Sequence, residues 1–155
     1  MAKAKSDDTI ALNKIAKRNY FLDEIFHAGI ILRGWEVKSL RLGKVDIKDS
    51  YVNFKNDEAF IIGMKIDPPQ SLDSERDQSL RTKKLLLHKK ELREIKSKIE
   101  QKGLTCILTK IFISSNLIKC EIAIGKGKKQ HDQRETIKQR DWSRQKDRLL
   151  KNSHK

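Results

Sequence analysis

The sequence predicts a mainly β protein with inserted helices: a small antiparallel β-barrel body followed by a basic C-terminal tail. Three observations predict it. Short runs of Ile, Leu and Val alternate with polar positions and are bounded by turn residues, the period of half-buried strands. Two pairs of such runs flank tight-turn signals, Lys55-Asn-Asp-Glu58 and Ser114-Ser-Asn116, as in hairpins. Positive charge is crowded into the last fifth of the chain. An open α+β sandwich is the alternative to a barrel.

The first twenty residues are polar and weakly periodic, so a flexible and then extended segment is expected. Tyr20 to Leu32 reads as a strand. Gly34 to Gly43 reads as a helix, with Val37, Leu40 and Leu42 sharing a face and Gly43 closing it. Val45 to Phe54 alternates as one strand, and Ala59 to Ile66 returns as its hairpin partner. Asp67-Pro-Pro69 stops that strand, because proline cannot donate to a ladder, and a mobile loop is expected to about Leu80. Lys84 to His88 fits either a short buried strand or the first turn of a helix. Lys89 to Lys102 is helical, with Leu92, Ile95 and Ile99 spaced for one face and Gly103 as terminator. Leu104 to Ile113 and Leu117 to Ile124 form the second hairpin. The predicted body is 1–125 and the tail 126–155.

With 155 residues, of which 37% are hydrophobic and nine are aromatic, the chain can fill one modest aliphatic core. Lys and Arg outnumber Asp and Glu, 35 against 21, for a net charge of +14. Residues 125–155 carry +7 of that excess, half of it in a fifth of the chain. A Lys-rich composition accounts for a scattered excess but not a clustered one. The asymmetry therefore points to a polyanionic partner, nucleic acid before membrane. No stretch approaches 18 apolar residues, and Met1 to Asp8 lacks the apolar region of a secretion signal; a cytoplasmic protein is expected. Cys106 and Cys120 fall in apolar runs and read as buried free thiols.

Catalytic motifs are weak. Gly125-Lys-Gly-Lys-Lys129 lacks the ending of a phosphate loop; its glycines read as letting the chain leave the barrel close against a partner. The four His are scattered without metal-ligand spacing, and His131-Asp132 has no matching nucleophile. Glu36 is a candidate acid or base but lacks a partner carboxylate; a metal-dependent nuclease built on it is the enzyme alternative. The expectation is a binding protein with no cofactor and no metal.

Residues 130–151 ring a segment with cations, and Asp132, Glu135, Asp141 and Asp147 precede several of them by three or four positions, which supports a helix. Its apolar residues are few: Ile137, Trp142, Leu149 and Leu150. Such a helix docks weakly on a body, so the tail is expected to be disordered when free and helical in a polyanionic groove. On the body, Asn13, Lys14, Lys17, Arg18, Tyr20 and Tyr51 mix cations with rings, a combination suited to irregular RNA.

Several motifs then appear in order: Gly34-Trp-Glu-Val-Lys-Ser39, Gly43-Lys44 with Asp49-Ser-Tyr51, Arg81-Thr-Lys-Lys-Leu-Leu-Leu87, Ala123-Ile-Gly-Lys-Gly-Lys-Lys129, and Asp132, Arg134, Ile137-Lys138 and Arg140-Asp-Trp142. From about Ile10 to Leu150 the chain resembles the SsrA-binding protein family, also called small protein B. The resemblance implies an oligonucleotide-binding-fold barrel that grips the tRNA-like domain of transfer-messenger RNA (tmRNA, SsrA RNA). It implies delivery of that RNA to stalled ribosomes for trans-translation, with the tail lying in the empty messenger channel of the small subunit. Implied partners are tmRNA, the small subunit with its rRNA, and elongation factor Tu travelling with tmRNA. No membrane partner is implied, and a monomer is expected. The resemblance assigns RNA binding to Asn13, Tyr20, Leu86 and Lys119 and the approach to the tail to Lys126, Lys128 and Lys129. Lys14, Glu36, Lys38, Tyr51 and Lys84, in those motifs or in the basic and aromatic mixture, complete the expected RNA-binding set. Asp132, Gln133, Arg134, Ile137, Lys138, Arg140 and Trp142 are the expected ribosomal residues of the tail. Two departures stand out: Gln133 replaces the usual Lys, and His27 stands where the family commonly has Glu before Ala-Gly. A general RNA chaperone or ribosomal protein is the alternative within RNA binding.

Overall fold

The structure is a computed structural model; it describes residues 8–128 and 130–153, the side chains of 73, 75–77, 130–133, 135, 136, 152 and 153 excepted. In chain order the elements are β1 (Asp8–Leu12), α1 (Lys14–Asn19), β2 (Tyr20–Ile30), α2 (Gly34–Arg41), β3 (Val45–Asp46), β4 (Tyr51–Lys55), β5 (Glu58–Ile62) and β6 (Lys65–Ile66). After 3-10 turns at Gln70–Gln78 come β7 (Lys83–Leu86), α3 (Lys89–Lys102), β8 (Thr105–Ser114), β9 (Leu117–Gly127) and α4 (Gln130–Ser153). The strands run β8-β4-β5-β7-β2-β9, and β9 pairs back onto β8 to close the ring. Every pairing is antiparallel, and β1 lies along the far half of β8. The mainly β barrel with inserted helices is what the residue pattern predicted.

Both hairpins form where the sequence placed them. Asn56 and Asp57 at one turn, and Ser115 and Asn116 at the other, all take positive φ between 50° and 64°. That pair of left-handed residues matches the twist of the flanking strands, and Asn and Asp tolerate it. The core is aliphatic, with Ile61, Leu108, Ile111, Ile122 and Ile124 from the barrel meeting Leu40 of α2 and Ile95 of α3. Cys106 and Cys120 are buried free thiols within it, and burial pushes both up to about 12. Lys84 to His88 resolves into the strand β7 followed by the N-cap of α3.

Several local expectations are corrected. The N-terminal segment is not simply extended: β1 leads into a six-residue helix, α1, whose N-cap residue, Asn13, is itself held by the distant Ile47 and Leu108 carbonyls. Leu42 does not share the buried face of α2; it is 72% exposed, and Ser39 and Glu36 join Leu40 inside. The strand expected from Val45 to Phe54 is broken at 47–50. There Ser50 donates from N and Oγ to the Ile47 carbonyl at 3.2 and 2.5 Å. Asp46 meanwhile accepts from Lys48 N at 3.0 Å. Asp and Ser favour such local bonds over a ladder. Its partner is likewise broken at Gly63 (φ +82°), so β3 and β6 form a ribbon of their own. Residues 70–78, expected as a mobile loop, carry 3-10 turns.

The glycine-rich stretch after Ala123 also differs from expectation. Gly125, Lys126 and Gly127 remain in β9 and pair with Leu22, Phe21 and Tyr20. A Cβ on Gly125 would lie 2.8 Å from the Phe21 carbonyl oxygen. The glycine therefore serves close packing inside the barrel rather than exit from it. Gly125→Ala should cost about 1–3 kcal/mol, the usual range for overpacking against fixed backbone. Denaturant unfolding checks this, and unchanged stability would refute the tight approach.

Candidate nucleic-acid interface

Three of the expected RNA-binding residues are brought to one place. Asn13, Tyr20 and Tyr51 line a single cleft of about 380 Å³, with Lys48, Thr105 and Asn19 around them. Tyr20 ends α1 and starts β2, Tyr51 starts β4, and Thr105 starts β8. The cleft thus lies where three strand beginnings meet. Tyr51 is 45% exposed and Tyr20 is half-buried, so both rings have accessible area for a base to stack on. Lys14, Lys17 and Arg18 are exposed on α1.

Asn13 itself is buried, and its amide is committed to the fold. Its Oδ1 accepts from Ala16 N at 3.1 Å, while Nδ2 donates to the Ile47 and Leu108 carbonyls at 3.1 and 2.9 Å. Its N–H adds a bond to the Thr109 carbonyl at 2.7 Å. One side chain therefore caps α1 and ties it both to the 47–50 turn and to β8. Asn13, expected in the RNA-binding set, thus stands in the cleft wall with its amide engaged by the fold.

Leu86 and Lys119 meet on a second surface. In the ladder Leu86 is opposite Gly29 on β2, and Gly29 is opposite Lys119 on β9. Leu86 is 56% exposed and lies across Gly29, where a Cβ would meet its Cδ1 at 3.3 Å. One row across three strands thus carries an apolar knob, a bare backbone and a cation. Two residues along β2, the exposed His27 faces Glu121, with Nε2 3.5 Å from Oε2, and its ring meets Phe112 edge-on at 5.3 Å. The residue that departs from the family pattern therefore adjoins this row. Lys126 is exposed further along β9; Lys128 donates from Nζ to the Lys17 carbonyl at 3.2 Å and lies 4.8 Å from the Phe21 ring centroid.

The other expected residues are dispersed. Lys38 is exposed on α2, and Lys84 is hydrogen-bonded to Glu58 at 2.9 Å. Glu36, expected in the RNA-binding set and as the carboxylate of the enzyme alternative, is 0% exposed. Its Oε1 accepts from Arg33 N at 2.8 Å and from Arg81 Nη2 at 2.5 Å, and Oε2 is 3.7 Å from Lys83 Nζ. The carboxylate thus caps α2 and holds it to the segment that enters β7. Among the described residues, no three His, Cys, Asp or Glu are grouped to hold a metal ion.

Lys129 lies outside the described residues. Asp132 and Gln133 fall on α4, but their side chains lie outside the description. Arg134, Lys138, Arg140 and Trp142 are exposed, Trp142 by 66%. Ile137 is half-buried and, with Arg18, Arg140, Asp141 and Arg144, lines a concavity where α4 meets α1. No described helix is long and apolar enough to cross a membrane.

Sequence reading missed Lys48 and Thr105, which become part of the cleft only through long-range pairing. It also missed Lys83, a fully buried lysine that donates to the Met64 and Arg81 carbonyls at 3.1 and 2.7 Å. Burial pushes Lys83 down to about 8 against the pull of Glu36. Between that value and the ordinary 10.5 the unfolded chain binds more protons than the folded one, so this group makes stability rise with pH across that window. Lys83→Met removes the effect. The variant should lose ground to the parent chain as pH climbs from about 8 to 10.5; parallel stability curves would refute the buried cation.

A family model described as SmpB protein matches residues 10–152. The SsrA-binding protein of Chromohalobacter salexigens is 47% identical, over 97% of this chain and 99% of its own length. That of Pseudomonas entomophila is 46% identical, over 100% and 99%. A chain of a solved structure described as "tmRNA-SmpB: a journey to the center of the bacterial ribosome" superposes with a TM-score of 0.65 at 36% identity, covering 82% of this chain and 93% of that one.

Proposed function

The chain belongs to the SmpB protein family, and from that premise we propose that it binds the tRNA-like domain of tmRNA and carries it to stalled ribosomes for trans-translation. It acts as a binding adaptor rather than an enzyme, in the cytoplasm, with the small subunit and its rRNA as second partner. The observation that carries this reading is the cleft that gathers Tyr20 and Tyr51 beside the cations of α1. Rings offer stacking to unpaired bases, and Lys14, Lys17 and Arg18 offer charge to phosphates. The row of Leu86 and Lys119 supplies a second contact surface, and Lys38, Lys84 and Lys126 add cationic surface beyond it. The basic tail, α4, enters the empty messenger channel, where Arg134, Lys138 and Arg140 meet rRNA phosphates and Ile137 and Trp142 pack.

Each phosphate neutralised should contribute about −0.9 on duplex or about −0.7 on single-stranded RNA to the salt slope of affinity. Sub-micromolar, salt-dependent binding to the tRNA-like domain is expected in a filter or anisotropy assay. Equal affinity for an arbitrary hairpin of the same length would count against the reading and favour a general RNA chaperone.

Truncation after Lys129 separates body from tail, since it keeps β9 whole and retains the Lys128 bonds to α1. The shortened protein should hold tmRNA nearly as well as the full chain yet fail to support peptide tagging on stalled ribosomes. Normal tagging by it would remove the tail from the mechanism.

A further inference from the structure

The aromatic cleft does not end at Thr105. That exposed residue also lines a groove of about 220 Å³ between β4 and the C-terminal half of α3, whose rim includes Asn53, Phe54, Lys96 and Glu100. Lys96 in turn lines a pocket of about 250 Å³ with Lys89, Leu92, Arg93 and Asp57. Cleft, groove and pocket therefore share wall residues in sequence. Tyr51, Asn53 and Lys55 are exposed at alternate positions of β4, so they share one outer face that rises roughly 13 Å along the strand.

We propose that these three concavities form one track for an unpaired RNA strand, with bases stacking at Tyr20 and Tyr51 and phosphates clamped at the far end by Lys89, Arg93 and Lys96. The inference rests on the RNA-binding reading above and extends it to a surface on α3. Lys89, Arg93 and Lys96 stand on one side of α3 because spacings of four and three residues repeat the helical turn. Leu92 floors the pocket they surround, and two carboxylates oppose them. Asp57 lies 3.7 Å from Lys96 but is 89% exposed, and such a pair is worth little in water. Strand phosphates held one each at Lys89 and Arg93, with Lys96 beside them, need displace no more than this weak pair. Glu100 lies in the groove beyond Lys96, which places the clamp at Lys89 and Arg93 rather than along the whole helix. A ring cluster joined to a cation cluster by a polar trough fits a strand with free bases; a duplex buries its bases and leaves the rings idle.

The experiment uses the full-length protein, its K89A/R93A variant and a K65A control, all titrated with an unstructured oligoribonucleotide of about a dozen nucleotides, within the span such barrels hold. K89A/R93A should bind roughly tenfold more weakly, with its salt slope reduced by about 1.4 for two lost phosphate contacts. K65A should match the parent, and circular dichroism should show both variants folded. Parent-like affinity and slope in K89A/R93A would overturn the track, as would equal losses on a blunt duplex or no binding of the oligonucleotide by the parent. Discrimination of the tRNA-like domain by the parent is scored separately, so the track can fail while the adaptor reading stands.

Discussion

Strand β9 is the constraint on which the rest of the molecule depends. It pairs with β8 from Leu117 to Gly125 and with β2 from Lys119 to Gly127, so it is hydrogen-bonded on both edges over most of its length. Closing a sheet this way removes the exposed edges that would otherwise invite pairing with other chains. It also fixes the two candidate surfaces. The outward Lys119 is held level with Gly29 and Leu86, and the last residues of the strand are held against Tyr20 and Phe21. Gly125 makes the second contact possible because no side chain separates β9 from the Phe21 carbonyl.

A second pattern follows from where the acids are spent. Glu36 is paired with Arg81 inside, Glu58 with Lys84 on the β5–β7 ladder, and Glu24 and Glu94 with Lys98. Glu121 accepts from Thr109 Oγ1 at 3.0 Å and faces His27. These carboxylates hold elements together and offset cations already engaged in the fold. The exposed cations of α1 and α4 are left facing solvent around the concavity where the two helices meet. Net charge alone would draw any polyanion; this distribution gives the attraction a direction.

The strands and the amphipathic helix α3 were legible because their signals are local: alternation, turn residues with left-handed tolerance, and Leu92, Ile95 and Ile99 on one face ended by Gly103 at φ +61°. What escaped was set by residues far apart in the chain. Helix α1 has little apolar content, and Asn13 stabilises it through carbonyls 34 and 95 residues away. Glu36 looked like an available carboxylate because its partner, Arg81, is 45 residues downstream. Lys83 carries no local signal of burial either, since it donates to the Met64 carbonyl and lies beside Glu36. The candidate site was half legible: residue chemistry singled out Tyr20 and Tyr51, but only the barrel's closure brings Lys48 and Thr105 beside them.

The junction between barrel and tail joins two parts that are held very differently. Lys128 N donates to the Asn19 carbonyl at 2.7 Å, which fixes where the arm begins relative to α1. Beyond that point α4 runs for 24 residues, a reach of about 36 Å as a helix. Among its described side chains Ile137 is half-buried and the rest are exposed. Fully burying an Ile is worth about 1.5–3 kcal/mol, so a half-buried one holds the arm by less. A few phosphate contacts would outweigh that apolar hold. On the proposed function, so light an apolar hold would let the tail leave α1 for a polyanionic surface while the cleft, held by buried hydrogen bonds, keeps its shape.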